Sequence, residues 1–239
     1  RNADGTDFFG TQVQIPGALD ALYAGAAATK PLGVTYASGV PSLAVWAPTA
    51  LIQPGVSVNL YDAAGTKLET VPMTLDPSTG IWSVTGEADW DEKFYTISLR
   101  VYSYAANAIV TNEVTDPYSV SLAMDSVRSQ FIDLDDPDFK PTGWDSLTLP
   151  ALAAPEDLSI YELHVRDFSI ADSTVPEAHR GKFTAFDPTS TGETNGIRHL
   201  RALTDAGLKA VHILPPFDIA TVKEDRDDRV ELEDEVGKL

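Results

Sequence analysis

Cysteine is absent from the sequence, which excludes disulfides and thiolate metal sites and leaves nothing about redox compartment to be read from pairing. Runs of lysine and arginine are missing too, with 17 basic residues scattered against 36 acidic ones and a formal net charge of -19. Phosphate backbones are bound by clustered cations that release counterions, so the charge argues against a nucleic-acid partner and, for the same reason, against an anionic membrane surface. No apolar run approaches the roughly 20 residues of a membrane span. The opening "RNADGTDFFG" has neither an initiator methionine nor a visible signal peptide, and the chain closes in a charged stretch; the expectation is an excised piece of a longer protein. Neutral ligands remain open. With 239 residues, 43% of them hydrophobic, the chain can bury one large core or two ordinary ones.

The hydrophobic pattern divides the chain. Residues 1–31 read as a small, polar lead-in with one short helical turn in "ALYAGAAATK". Residues 32–115 switch to a period of two. "SLAVWAP", "VSVNLYD", "TVPMTLD", "GIWSVTG", "KFYTISLRVYS" and "AIVTNEV" are short runs rich in Val, Ile, Tyr, Trp and Thr, separated by turn signals at Pro48, Pro54-Gly55, Ala64-Gly65, "DPSTG" and Ala105-Ala106-Asn107. That spacing predicts an antiparallel β-sandwich. Residues 116–157 carry Pro117, Pro137, Pro141, Pro150 and Pro155, a density that denies continuous helix or central strand and predicts an ordered connector.

From residue 158 to 222 the order is strand, helix, strand. "SIYELHVRDF" alternates; Asn195 is the expected N-cap of a helix carrying Ile197, Leu200, Leu203 and Ala206; Gly207 supplies its left-handed stop. Ala210–Leu214, ended by Pro215-Pro216, reads as a strand buried on both faces. This is one unit of a parallel α/β sheet or barrel, and it needs neighbours to cover its edge. The acidic tail, 223–239, reads as a solvated helix or flexible segment.

Within the first of these strands, Glu162, His164 and Arg166 face one way. Three readings compete: a solvated surface, an acid–base site, and a hydrogen-bonded layer lining a barrel interior, in which Glu162 balances the other two. The parallel unit favours the third, because buried charge persists only when paired. The long stretch from Ser169 to Thr194 then follows the strand's C-terminal end, where barrels build active sites, and His179, Arg180 and Asp187 are its candidate substrate contacts, against the plainer reading of a covering loop.

Two blocks carry a family resemblance. "DLSIYELHVRDFSIADSTVPEAHRGKF" followed by "HLRALTDAGLKAVHILPPFDIATV" closely resembles the opening of the catalytic (β/α)8 TIM barrel of bacterial pullulanases, the starch-debranching branch of the alpha-amylase superfamily. The preceding "VWAPTA", "FYTISLRVY" and "NEVTDPYSVSLAMDSVRSQFIDLDDPDFKPTGWDSL" resemble its immunoglobulin-like starch-binding module and connector. The resemblance implies a parent enzyme that hydrolyses α-1,6-glucosidic links of pullulan, glycogen, amylopectin and starch dextrins with retention. It implies no organic cofactor, is compatible with a structural calcium ion in the longer protein, and suggests a secreted or cell-surface bacterial setting. It also implies that the tail belongs to a barrel insertion and that the remainder of the barrel is the partner of residues 158–222. Retaining hydrolysis needs two carboxyl groups flanking the bond, roughly 5–5.5 Å apart. The family's nucleophile, acid/base and stabilising aspartate follow its fourth, fifth and seventh barrel strands, and no stretch here matches those blocks. No catalytic residue is therefore assigned, and the fragment alone is expected to be inactive. The alternatives are a self-standing glucan-binding or interaction module, a branching enzyme and an isoamylase.

Neutral sugars are gripped by flat aromatic faces and hydrogen bonds. Trp46, Trp82, Trp90 and Tyr95 lie in or near the module's strands. Trp46 and Trp82 are expected in or beside the core, whereas Trp90, within the polar "EADWDEK", is the expected exposed platform. Trp144 is expected to pin the connector to a domain surface. The histidines at 164, 179, 199 and 212 lack zinc spacing, and neither "DLDDPD" nor the tail has a calcium-loop pattern, so no metal ligand is assigned.

Overall fold

The structure, a computed structural model, describes residues 14–149, 151–217, 219 and 221–228. Its described residues divide into two compact units, one built on those up to Pro141 with Lys223–Asp228, the other on those from Thr142 to Val222. Most of the expected acidic tail lies outside the described residues.

The first unit opens with α1 (Pro16–Ala27), several turns rather than the single turn expected, with proline at its first position and alanines and leucines outweighing Gly17 and Gly25 behind it. One antiparallel sheet then contains β1 (Gly33–Ala37), β2 (Val40–Trp46), β5 (Thr74–Asp76) and β6 (Ile81–Thr85) in the order β1-β2-β6-β5. The other contains β3 (Val56–Tyr61), β4 (Lys67–Pro72), β7 (Phe94–Ser103) and β8 (Ala108–Val114) in the order β4-β3-β7-β8, with the two-residue β9 (Ser129–Gln130) also paired to β7. Ser38 and Gly39 both take positive φ, 53° and 77°, which closes the β1–β2 hairpin in the twist its strands require. The run "TVPMTLD" is not one strand. Met73, buried, is the point where the chain leaves the second sheet as β4 and enters the first as β5.

Alternation fills the space between the sheets. Leu43 and Val45 point in from one, Val56, Val58, Leu60, Tyr95 and Ile97 from the other, and each such side chain contributes about 1.5–3 kcal/mol on burial. The core does not stop where the strand pattern does. Phe131, beyond β9 in the expected connector, has no exposed surface and packs on Tyr95 at 4.3 Å between ring centroids and on Trp90 at 5.5 Å. Asp116 is buried as well: it accepts from the Tyr95 hydroxyl (2.8 Å) and the Tyr118 amide (2.9 Å), while its own amide donates to Ser129 Oγ (2.9 Å).

Trp90 is not the exposed platform expected from its polar neighbours. It ends a single 3₁₀ turn, Ala88–Trp90, which directs the indole inward and leaves it 4% exposed. The ring lies flat against Gly86, where an added Cβ would sit 2.4 Å from Cε3. Gly86→Ala is therefore expected to push the indole out of its slot. The expected cost is about 1–3 kcal/mol in urea denaturation, with a red shift of tryptophan emission; unchanged stability and emission would contradict the packing.

In the second unit, β10 (Ile160–Leu163) and β11 (Ala210–Ile213) pair in parallel, Ile160 with Ala210 through Leu163 with Ile213. Between them run α2 (Val165–Ser169), α3 (Pro188–Thr191) and α4 (Asn195–Asp205). The expected strand over "SIYELHVRDF" ends at Leu163. Its last ladder bond runs from the Leu214 amide to the Leu163 carbonyl (2.9 Å), and the next residues of the partner, Pro215 and Pro216, have no N–H to offer. The helix cap also differs by one position: Thr194, not Asn195, accepts from the Ile197 amide (3.3 Å). At the other end the Gly207 amide bonds to Thr204 O and the Leu208 amide to Leu203 O, with Gly207 at φ 105°, which is the paired-bond stop that the glycine predicts. β11 is not buried on both faces, since Val211 and Ile213 are 42% and 39% exposed within a sheet of only two strands.

Candidate functional site

On the outer face of the second sheet, where alternation predicts side chains in water, a chain of polar side chains crosses four strands. Thr70 Oγ1 on β4 donates to Asn59 Oδ1 on β3 (2.8 Å), Asn59 Nδ2 to Thr96 Oγ1 on β7 (3.3 Å), and Thr96 Oγ1 to Glu113 Oε1 on β8 (2.6 Å). Tyr61 lies across them and donates to the same carboxylate, so Asn59 and Thr96 are buried although they sit on the outside of the sandwich. Bonds from Thr96 and then Tyr61 hold the Glu113 carboxyl below the usual range; burial first and the Glu113 bond second push the Tyr61 phenol up. The Arg128 guanidinium stands 5.2 Å above the Tyr61 ring, and its buried Nε has no hydrogen-bond partner among the described residues. It abuts Gly65, whose added Cβ would fall 2.6 Å from Nη2. Such a face can hydrogen-bond hydroxyl groups, but most of its capacity is spent internally.

Of the four expected aromatic contacts, three are inside. Tyr95 and Trp82 join Trp90 in the core, Trp82 donating its Nε1 to Ala47 O (3.2 Å) beside a cavity of about 90 Å³ also lined by Tyr23, Ile52 and Leu75. Trp46 is half-buried, and its Nε1 donates to Thr79 O (2.8 Å). Trp144, expected to be pinned down, is 58% exposed. Sequence reasoning passed over Tyr61, Arg128 and Glu113, whose signal is only that they share one outward face, and also Tyr102 and Tyr104 at the β7–β8 hairpin.

Glu162, His164 and Arg166 do not form one row. Glu162 on β10 pairs with His212 Nδ1 on β11 (2.9 Å); His164 Nδ1 accepts the Asp167 amide (3.4 Å) as the cap of α2; Arg166 lies inside that helix, 3.7 Å from Asp167. The loop candidates are occupied structurally. His179 Nδ1 meets Thr184 Oγ1 (2.9 Å), Arg180 Nε donates to Val175 O (2.8 Å), and Asp187 caps α3. Hydrogen bonds from Ser190 and Thr189 hold the Asp187 carboxyl down at about 2.

An open cleft of about 480 Å³ in this unit is lined by Tyr161, Asp167, Phe168, Asp172, Asn195 and His199 among others. Asp172 is committed there: it accepts from Thr174 N (2.9 Å), Thr174 Oγ1 (2.7 Å) and Asn195 Nδ2 (3.0 Å), tying the loop to the start of α4. Among the described residues no three His, Asp or Glu side chains gather where they could hold a metal ion. No helix among them is long and apolar enough to cross a membrane.

Residues 31–119 match the family model of carbohydrate-binding module 48, the isoamylase N-terminal domain. Over that stretch the chain is similar to carbohydrate-binding modules of family 48. Across nearly its full length it is also similar to an N-terminal portion of pullulanases. It is 40% identical to the pullulanase of Klebsiella pneumoniae over 99% of this chain and 22% of that protein. To pullulanase 1, chloroplastic, of Arabidopsis thaliana it is 37% identical over 95% and 23%. Among solved structures, Klebsiella pneumoniae pullulanase complexed with maltotriose matches with a TM-score of 0.84 and 37% identity, over 93% of this chain and 21% of that one. The chain thus spans about a fifth of the length of these relatives. The core of the first unit extends past the matched residues, since β9 and Phe131 complete it.

Proposed function

We propose that this chain is the module, connector and first barrel segment of a secreted bacterial debranching enzyme. That enzyme would hydrolyse α-1,6-glucosidic links in pullulan, glycogen and starch dextrins with retention and without an organic cofactor. The observation that carries the reading is the parallel β10–α4–β11 unit that follows the family 48 match and its connector, with Val211 and Ile213 half-open to solvent in a sheet of two strands. A closed (β/α)8 barrel would cover those side chains with further strands and helices, and place Glu162 and His212 on adjacent strands of its wall. The first unit would meet the glucan; a pullulanase relative has been solved in complex with maltotriose.

The chemistry would come from carboxylates contributed by later barrel strands, because Asp172 and Asp187 are bound up in loop and cap hydrogen bonds. The 239-residue chain is expected to release no reducing sugar from pullulan under conditions in which a complete pullulanase converts it fully. Its migration is expected to be retarded in native gels containing pullulan or amylopectin. Sustained debranching by the purified chain would overturn the assignment of catalysis to later strands, and unretarded migration in both glucans would overturn glucan binding by the module.

A further inference from the structure

We propose that Tyr104, at the tip of the β7–β8 hairpin, is a stacking platform for a neutral α-glucan chain. β3 pairs with β7 only as far as Leu99, whereas β7 and β8 remain paired on to Ser103 and Ala108, so Arg100–Ser103 and Ala108–Thr111 form a two-stranded ribbon beyond the sandwich. An isolated two-stranded ribbon is marginal in water. This one is fastened at two points, by the Leu51 amide to Arg100 O (2.9 Å) and by Gln14 Nε2 to Tyr102 O (3.0 Å). Tyr102 is the penultimate residue of β7 and Tyr104 the first of the turn. The Tyr102 hydroxyl donates to Asn107 Oδ1 (2.6 Å) across the turn, which fixes that ring, and Tyr104 packs on it edge-to-face at 5.2 Å and 90°. Tyr102 is thereby a positioning residue. Tyr104 keeps 72% of its surface exposed, and its hydroxyl has no partner among the described residues.

A preset aromatic face with a free hydroxyl suits a pyranose, whose C–H surface stacks on the ring while its hydroxyls bond around it. A net charge of -19 disfavours phosphate-bearing ligands at the same place. The tryptophans of the module offer no rival face of this kind: Trp82 and Trp90 are in the core, and Trp46 is half-buried with its Nε1 engaged. The proposal rests on the glucan-binding reading of the module and names where contact is made.

Affinity electrophoresis of the 239-residue chain in amylopectin gels tests it, with a glucan-free gel and a thermal melt of each variant as controls. Tyr104→Ala is expected to weaken apparent affinity about fivefold, within the twofold to tenfold range of one aromatic contact, while melting like the parent. Tyr104→Trp, which keeps a flat ring, is expected to retain at least parental retardation. If Tyr104→Ala is retarded like the parent, the platform is overturned and the module's glucan binding stands. If the parent itself is not retarded, both fall.

Discussion

Replacing Phe131 with alanine is expected to lower the stability of the first unit by about 3–5 kcal/mol, the loss typical of a fully buried aromatic in a core that cannot collapse around the hole. Phe131 has no exposed surface, its amide bonds to Lys93 O (2.9 Å), and its ring closes the end of the sandwich over Tyr95 and Trp90. The corresponding truncation should be worse. A module cut at residue 119, the limit of the family match, loses Phe131 together with β9, and with it the Ser129 hydroxyl that accepts the Asp116 amide. Urea denaturation followed by tryptophan emission would show both effects. A Phe131→Ala chain with a midpoint within error of the parent would mean that the ring is not part of the core.

Asp116→Ala is expected to cost about 1–3 kcal/mol, because it leaves the buried Tyr95 hydroxyl without its acceptor and removes the acceptor of the part-buried Tyr118 amide. The charge itself works in the opposite direction. Burial is the leading influence on this carboxyl and raises its pKa, outweighing the bonds from Tyr118 and Tyr95 that favour the anion. An acid whose pKa is higher folded than unfolded binds the extra proton in the native state, so its contribution to stability falls as pH rises through that interval. The penalty is absent below the unfolded value of about 3.9 and complete above the folded one. Asp187, Asp76 and Glu113, held below the usual range by hydrogen bonds, have the reverse slope and lose stability on acidification. The comparison that isolates Asp116 is therefore the parent against Asp116→Asn. Between pH 7 and pH 4 the parent should gain stability relative to the asparagine variant; a constant gap across that interval would show that the carboxyl is not displaced.

The strands of the sandwich were legible because their code is local. β2, β3 and β7 each alternate over five or more residues, and the turns between them hold the glycines and prolines that turns need. The helix stop at Gly207 was legible for the same reason. What failed to show depended on a single side chain's direction. Trp90 sits among acids, and only the 3₁₀ turn sends its ring inward. β9 is two residues long, too short to have a period, so nothing local marks Phe131 as a core residue. His164 and Arg166 continued an alternating pattern, but a ladder needs donors from its neighbour, and two prolines fifty residues away withheld them. The polar chain from Thr70 to Glu113 spans four strands, so no window of sequence contains it.

The pairing of Tyr95 with Ser129 has a consequence for synthesis. The chain leaves a ribosome from its N-terminus at about 5–20 residues per second, and the hairpin ending at Val114 is out some 17 residues before Phe131. For about 1–3 s the nascent sandwich is a vessel without its lid, its two inner aromatics wet and adhesive, and slowing or stalling translation in that interval would lengthen the window in which a chaperone, or another growing chain, can reach them.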